Sequence, residues 1–117
     1  MRIEGEGQLL RIFLGESDRW EGRPLYEAVV LEAREAGLAG ATVLRGMMGF
    51  GASSRIHTTK VLRLSEDLPV VVEIVDRPER IAAFLPTLNG MVDEGLITLE
   101  KVQVIAYRHG AQDGAGD

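Results

Sequence analysis

The run Leu68-Pro69-Val70-Val71-Val72-Glu73-Ile74-Val75-Asp76-Arg77-Pro78-Glu79 joins two different periodicities. Leu68 to Val75 is β-branched and nearly all apolar, which is a strand signal. Val70, Val72 and Ile74 lie on one parity and Val71 and Val75 on the other, so both faces of this strand ask for cover. Asp76 then offers a helix cap, with Pro78 and Glu79 suited to a first turn. Ile81, Phe84, Leu85, Leu88 and Val92 follow at helical spacing. Pro86 falls inside that helix, where a proline costs about 3 kcal/mol and predicts a kink or an early break.

Further along the chain, Ile97 to Tyr107 reads as the closing strand, with a slip in its alternation at Glu100-Lys101 that predicts a bulge. Upstream, Gln8 to Leu14 reads as the opening strand and Gly15 ends it. Gly22-Arg23-Pro24 opens a first helix, with Pro24 at its first position, where a missing N–H costs nothing. Leu25, Val29, Ala33 and Ala36 give its apolar stripe, Gly37 its stop, and Trp20 and Tyr26 read as packing residues beside it. Ala41 to Arg45 reads as a second strand, and Lys60 to Leu64 as the way back out of a long connection. The order β-α-β-β-α-β is that of the ferredoxin-like split βαβ sandwich, an α+β fold. Two helices cover one face of such a sheet. Each large apolar side chain left wet on the other face forgoes about 1.5–3 kcal/mol, which predicts a homo-oligomer joined through sheet faces.

The chain has 117 residues, enough for one domain. Residues 1–110 are expected to form it, with Met1 to Gly7 frayed and residues 111–117 a disordered tail. A net charge of −5 argues against nucleic-acid binding, which needs a basic surface. Zero cysteines excludes disulfide scaffolds, thiol nucleophiles and cysteine-based zinc sites. Met1-Arg2-Ile3-Glu4-Gly5 has no apolar signal region, so a cytoplasmic location is expected.

Against that acidic background, Arg45 to Ser65 holds four Arg or Lys and no Asp or Glu, leaving the remainder of the chain at −9. Gly46, Gly49 and Gly51 let a backbone N–H approach a ligand closely. Ser53, Ser54, Thr58 and Thr59 add hydroxyl donors, and together these groups suit an anion or phosphate cradle. The competing reading is a solvated hairpin tip. Gly46-x-x-Gly49-x-Gly51 reverses the dinucleotide fingerprint and precedes a strand, so it is not a Rossmann turn. His57 and His109 have no companion at metal-ligand spacing, and Ser53 and Ser54 have no visible base. Glu73 suits an ion pair with an arginine across a subunit interface. Asp93-Glu94-Gly95 reads most simply as a turn; if it faces a nucleotide, its backbone amides rather than its carboxylates would meet the phosphate.

Gly49-Phe50-Gly51, Leu68-Pro69, Glu73-Ile74-Val75 and Arg108-x-Gly110 together resemble the PII signal-transduction proteins. Arg45-Gly46-Met47-Met48-Gly49-Phe50-Gly51 followed by Ser53-Ser54-Arg55-Ile56-His57, with Leu14-Gly15-Glu16 and Ser65-x-Asp67-Leu68-Pro69, resembles more closely the PII-like family known as domain of unknown function 190. The resemblance runs from about Leu9 to Arg108. It implies a homotrimer with sheets facing inward and a T-loop at about Gly51–Thr59. It also implies adenine nucleotides (AMP, ADP or ATP) bound between subunits as effectors, with no tightly bound cofactor and no metal. Gly49, Phe50 and Gly51 match one wall of that cleft, and Asp93, Glu94, Gly95 and Leu96 the other; Arg108 matches a phosphate-binding arginine. Ala52-Ser53 replace an Arg-Gln pair of PII proteins, Leu96 replaces a phosphate-binding lysine, and no tyrosine lies between Arg45 and Ser65. Arg45 and Arg55 then stand as replacement charges, and AMP or ADP suits the site as well as ATP.

The expectation is therefore a PII-like regulator without turnover. Ser53, Ser54, Arg55, Ile56, His57 and Thr58 would meet a partner, either a membrane transporter or channel or an enzyme. The rival readings are a metal-responsive trimer similar to the CutA divalent-cation tolerance proteins, with His57 and loop carboxylates as ligands, and a small enzyme using Ser54 or His57.

Overall fold

The first strand, β1, runs Gly5–Gly15, and its alternation organises the rest. Leu10, Ile12 and Leu14 point to one side and are buried, while Leu9, Arg11 and Phe13 point to the other and are half-buried. The structure is a computed structural model that describes residues 2–51 and 67–109. A two-residue hairpin, β2 (Arg19–Trp20) and β3 (Arg23–Pro24), follows β1 and leads into helix α1 (Leu25–Glu35). Then come β4 (Thr42–Arg45), β5 (Pro69–Asp76), helix α2 (Pro78–Met91) and β6 (Leu96–Val104). The main sheet has the order β4-β5-β1-β6 with every pair antiparallel. Apart from the added hairpin, this is the β-α-β-β-α-β arrangement read from the sequence.

Both helices lie on the same face of the sheet. Val29 and Ala33 of α1 and Ile81, Phe84 and Leu88 of α2 close over Leu10, Ile12, Val70, Val72 and Ile74. Trp20 and Tyr26 pack at the margin of this core, as expected. Helix α1 ends in a Schellman motif: Leu38 N–H donates to the Ala33 carbonyl and Gly37 N–H to that of Arg34, with Gly37 at φ +81°.

Six local expectations need correction. Pro24 does not stand at the first position of α1: it ends β3 and precedes the helix with a non-helical ψ of 135°. Gly5 to Gly7 belong to β1 rather than to a frayed end, because they pair with Val102 to Val104 of β6, and Ile3 is buried. Helix α2 runs unbroken through Pro86. Pro86 and Ala82, whose carbonyl loses its partner, are not buried, so water can satisfy that carbonyl. Strand β6 has no bulge: Leu9↔Glu100 and Gln8↔Lys101 keep register, and the polar step arises because Glu100 meets Arg11 while Lys101 is exposed. The strand ends at Val104, short of Tyr107. Asp76 is not the cap of α2. It ends β5 fully buried, and its carboxylate accepts the N–H of Ala39 at 2.9 Å, the N–H of Arg77 at 2.7 Å and Nε of Arg80 at 3.3 Å. Arg80 also donates to the Gly37 carbonyl. This buried ion thus binds the end of α1 to the start of α2.

No described helix is long and apolar enough to cross a membrane. The expected tail, like most of the cationic segment, lies outside the described residues.

Candidate functional site

The cationic segment leaves the sheet at Arg45 and the chain re-enters at Pro69. Gly46 N–H donates to the Pro69 carbonyl at 2.7 Å, extending the β4–β5 ladder by one bond. The chain then folds over the proline ring. A Cβ on Gly46 would stand 2.8 Å from Pro69 Cγ and one on Gly49 3.1 Å, so the glycines permit this close approach. Beside this crossing is a cavity of about 250 Å³ lined by Arg45, Gly46, Met47 and Leu68. It offers one guanidinium against apolar walls, with Met47, Met48 and Phe50 exposed around it.

A single turn, Gly15 to Asp18, holds both stems of the segment. On the outgoing stem, Arg45 Nη2 donates to Glu16 Oε1 at 3.1 Å. On the returning stem, Glu16 N–H donates to the Leu68 carbonyl at 2.8 Å. The Asp67 carboxylate accepts both the N–H and the hydroxyl of Ser17, at 3.1 and 2.7 Å. Asp67 adopts φ +41°, a costly conformation for a side-chain-bearing residue, held here by those two bonds. The roles of Glu16, Ser17 and Asp67 are not visible from composition. Glu16 and Asp67 stand in the motifs Leu14-Gly15-Glu16 and Ser65-x-Asp67-Leu68-Pro69, but nothing in those motifs says what either side chain holds.

Across the same end of the sheet lies the connection between α2 and β6. Gly95 has φ +153°, and a Cβ there would meet the Phe13 carbonyl at 2.8 Å, so only glycine lets this connection lie against β1. Asp93, Glu94 and Leu96 are exposed there in the expected turn. Strands β4 and β6 are opposite edges of the sheet, separated by three strand spacings or about 14 Å. Arg108 lies four residues beyond the far end of β6, a strand that carries the chain about 27 Å from Leu96 to Val104. Its neighbour Tyr107 anchors that end by donating to the Ala39 carbonyl at 2.8 Å. One chain therefore groups Arg45, Gly49, Phe50 and Gly51 at one corner and Asp93 to Leu96 at another, with Arg108 at the opposite end. Arg55 and the expected partner-binding residues Ser53, Ser54, Ile56, His57 and Thr58 lie outside the described residues. Among the described residues, no three His, Cys, Asp or Glu cluster in a way that could hold a metal.

The open face of the sheet carries the remaining charge. Strand register aligns Leu44, Val71, Phe13 and Leu96 in one row and Thr42, Glu73, Arg11 and Thr98 in the next. Glu73 finds its arginine within the chain rather than across an interface, with Arg11 Nε donating to it at 2.9 Å. Arg11 Nη1 also donates to Glu100 at 2.6 Å. The bond to Glu73, assisted by Glu100, raises the Arg11 pKa above its ordinary value despite the opposing desolvation, so its charge is constant at any ordinary pH.

Residues 7–104 match the family model of domain of unknown function 190, described as an uncharacterized ACR. The chain belongs to this family. A UPF0166 protein of Aquifex aeolicus (strain VF5) is 47% identical over 98 residues, covering 84% of this chain and 92% of the relative. A UPF0166 protein of Methanocaldococcus jannaschii is 34% identical over 100 residues, covering 85% and 92%. Among solved structures, a Thermus thermophilus protein put forward as a PII-like signalling protein superposes with a TM-score of 0.61 at 17% identity, covering 86% of this chain and 91% of its own. CPII of Thiomonas intermedia K12, in a structure bound to ADP, AMP and acetate, gives 0.57 at 16% identity, covering 87% and 91%. This family member therefore has a mixed α/β fold, an antiparallel sheet with two helices, like those PII-like proteins.

Proposed function

We propose that this chain is a PII-like regulatory protein that assembles as a homotrimer through the open face of its sheet and binds an adenine nucleotide between subunits. The observation that carries this reading is the separation of the matched residues. The corner at Arg45 to Gly51 and the residue Arg108 lie at opposite ends of one subunit and can share a ligand only across a subunit boundary. The row Leu44, Val71, Phe13 and Leu96 gives a second copy an apolar surface to bury. The ADP and AMP bound to CPII support an adenine nucleotide as the ligand.

In this reading the base meets Met47, Phe50 and the turn at Asp93 to Leu96, while the phosphates meet glycine amides, Arg45, Arg55 and Arg108. Residues 51–59 form the T-loop, and Ser53, Ser54, Arg55, Ile56, His57 and Thr58 dock on a membrane transporter or channel or on an enzyme. The protein transmits a signal and does not turn over substrate. The nucleotide works by favouring one loop state over the other, since a ligand with equal affinity for both shifts nothing.

Calorimetric titration with AMP, ADP, ATP and cyclic AMP tests this reading. The expected result is saturable binding of at least one, with Arg108→Ala weakening phosphate-dependent affinity by about 1.5–3 kcal/mol. Absence of binding by all four at millimolar concentration overturns it.

A further inference from the structure

Arg45, the only cation among the described residues lining the cavity beneath the glycine crossing, is engaged: its Nη2 lies 3.1 Å from Glu16 Oε1. The Glu16 carboxylate occupies the Nη2 donor that a ligand's phosphate oxygen would otherwise use, and it offsets part of the guanidinium charge. Its backbone is held independently of its side chain, through the N–H bond to the Leu68 carbonyl and the neighbouring Ser17–Asp67 bonds. The carboxylate can therefore rotate away about its own side-chain bonds without the turn moving. Arg45 is about half exposed and Glu16 about a quarter exposed, so the pair is weak enough for a ligand to displace.

We propose that Glu16 is an internal stand-in for phosphate, which holds Arg45 in the free protein and sets how affinity depends on ligand charge. The proposal rests on the nucleotide-binding reading above. Two effects act together. Glu16 competes for Arg45 equally against every phosphorylated ligand. It also repels the ligand's own negative charge, and that repulsion grows from AMP to ADP to ATP. Glu16 thus biases the site towards less charged nucleotides by direct repulsion, while its hold on Arg45 weakens every phosphorylated ligand alike.

The test is calorimetric titration of wild type, Glu16→Gln, Arg45→Gln and the double variant with adenosine, AMP, ADP and ATP at low salt. Glu16→Gln should tighten AMP about threefold and ATP about tenfold, leave adenosine unchanged, and lose most of its advantage at high salt. In the Arg45→Gln background, Glu16→Gln should lose the competitive part of its gain, which the double-variant cycle isolates. If wild type binds nucleotides and Glu16→Gln changes none of them, or changes adenosine equally, the proposal is overturned and the nucleotide reading survives. If wild type binds none, both fall together.

Discussion

The helix-covered and open faces of the sheet are built from the same strands and reach different states. Under the helices, Leu10, Ile12, Val70, Val72 and Ile74 are at most 2% exposed, and the lone ion among them, Asp76, has three donors. On the open face, Phe13 and Val71 are half-buried, and Leu44 and Leu96 are about half exposed. Arg11 there binds two carboxylates, Glu73 and Glu100. Two helices of this length close one face of four strands and no more. Apolar side chains on the second face gain their burial only from another surface. The first face holds the subunit together; the second, in the proposed assembly, meets a neighbouring subunit.

Substitutions can set the two faces against each other. Leu10→Ala empties a site under both helices and should cost about 2–5 kcal/mol in urea denaturation. A loss below about 1 kcal/mol would mean that the helices collapse into the gap and that the covered face is not tightly packed. Asp76→Ala should cost about 1–3 kcal/mol, because it leaves the N–H groups of Ala39 and Arg77 and Nε of Arg80 without their acceptor and removes the countercharge of Arg80. Recovery of the lost stability by adding Arg80→Ala would show that the unpaired cation, rather than the connection between the helices, causes most of the loss. Phe13→Ser, on the open face of β1, should cost about 1 kcal/mol or less in subunit stability while abolishing self-association in sedimentation velocity. An unchanged sedimentation coefficient would sever the open face from the proposed assembly.

The elements with strong local patterning were readable in advance. Val70 to Val75 form a largely β-branched run apolar on both parities, Leu25 to Ala33 repeat at helical spacing, and Gly37 takes the left-handed conformation that ends α1. The misreadings share a cause: they depend on what lies opposite. Gly5 to Gly7 look like a loose end until β6 pairs with them. Pro86 is a helix breaker unless the orphaned carbonyl faces water, and that depends on which side of α2 meets the sheet. Glu100-Lys101 breaks alternation only if both residues are assumed to obey the same core. Of the candidate site, a close backbone approach at Gly46 and Gly49 was legible, but its object was not: the folded chain sets both glycines against the Pro69 ring. The Glu16–Arg45 contact was not, since nothing near either residue names the other.

Residue order alone settles the succession of strands and helices, the surplus of apolar side chains on the sheet, and the sign reversal between Arg45 and Ser65. Each of these follows from the pitch of the backbone or from charges counted along it, and so needs no partner. It took the folded chain to establish that Asp76 is a buried acceptor, that Glu16 holds Arg45 across 29 positions, and that Arg108 stands at the opposite end from the glycine crossing. Such pairings are set by strand order and register, which bring distant residues within hydrogen-bond reach and carry neighbours in the chain apart.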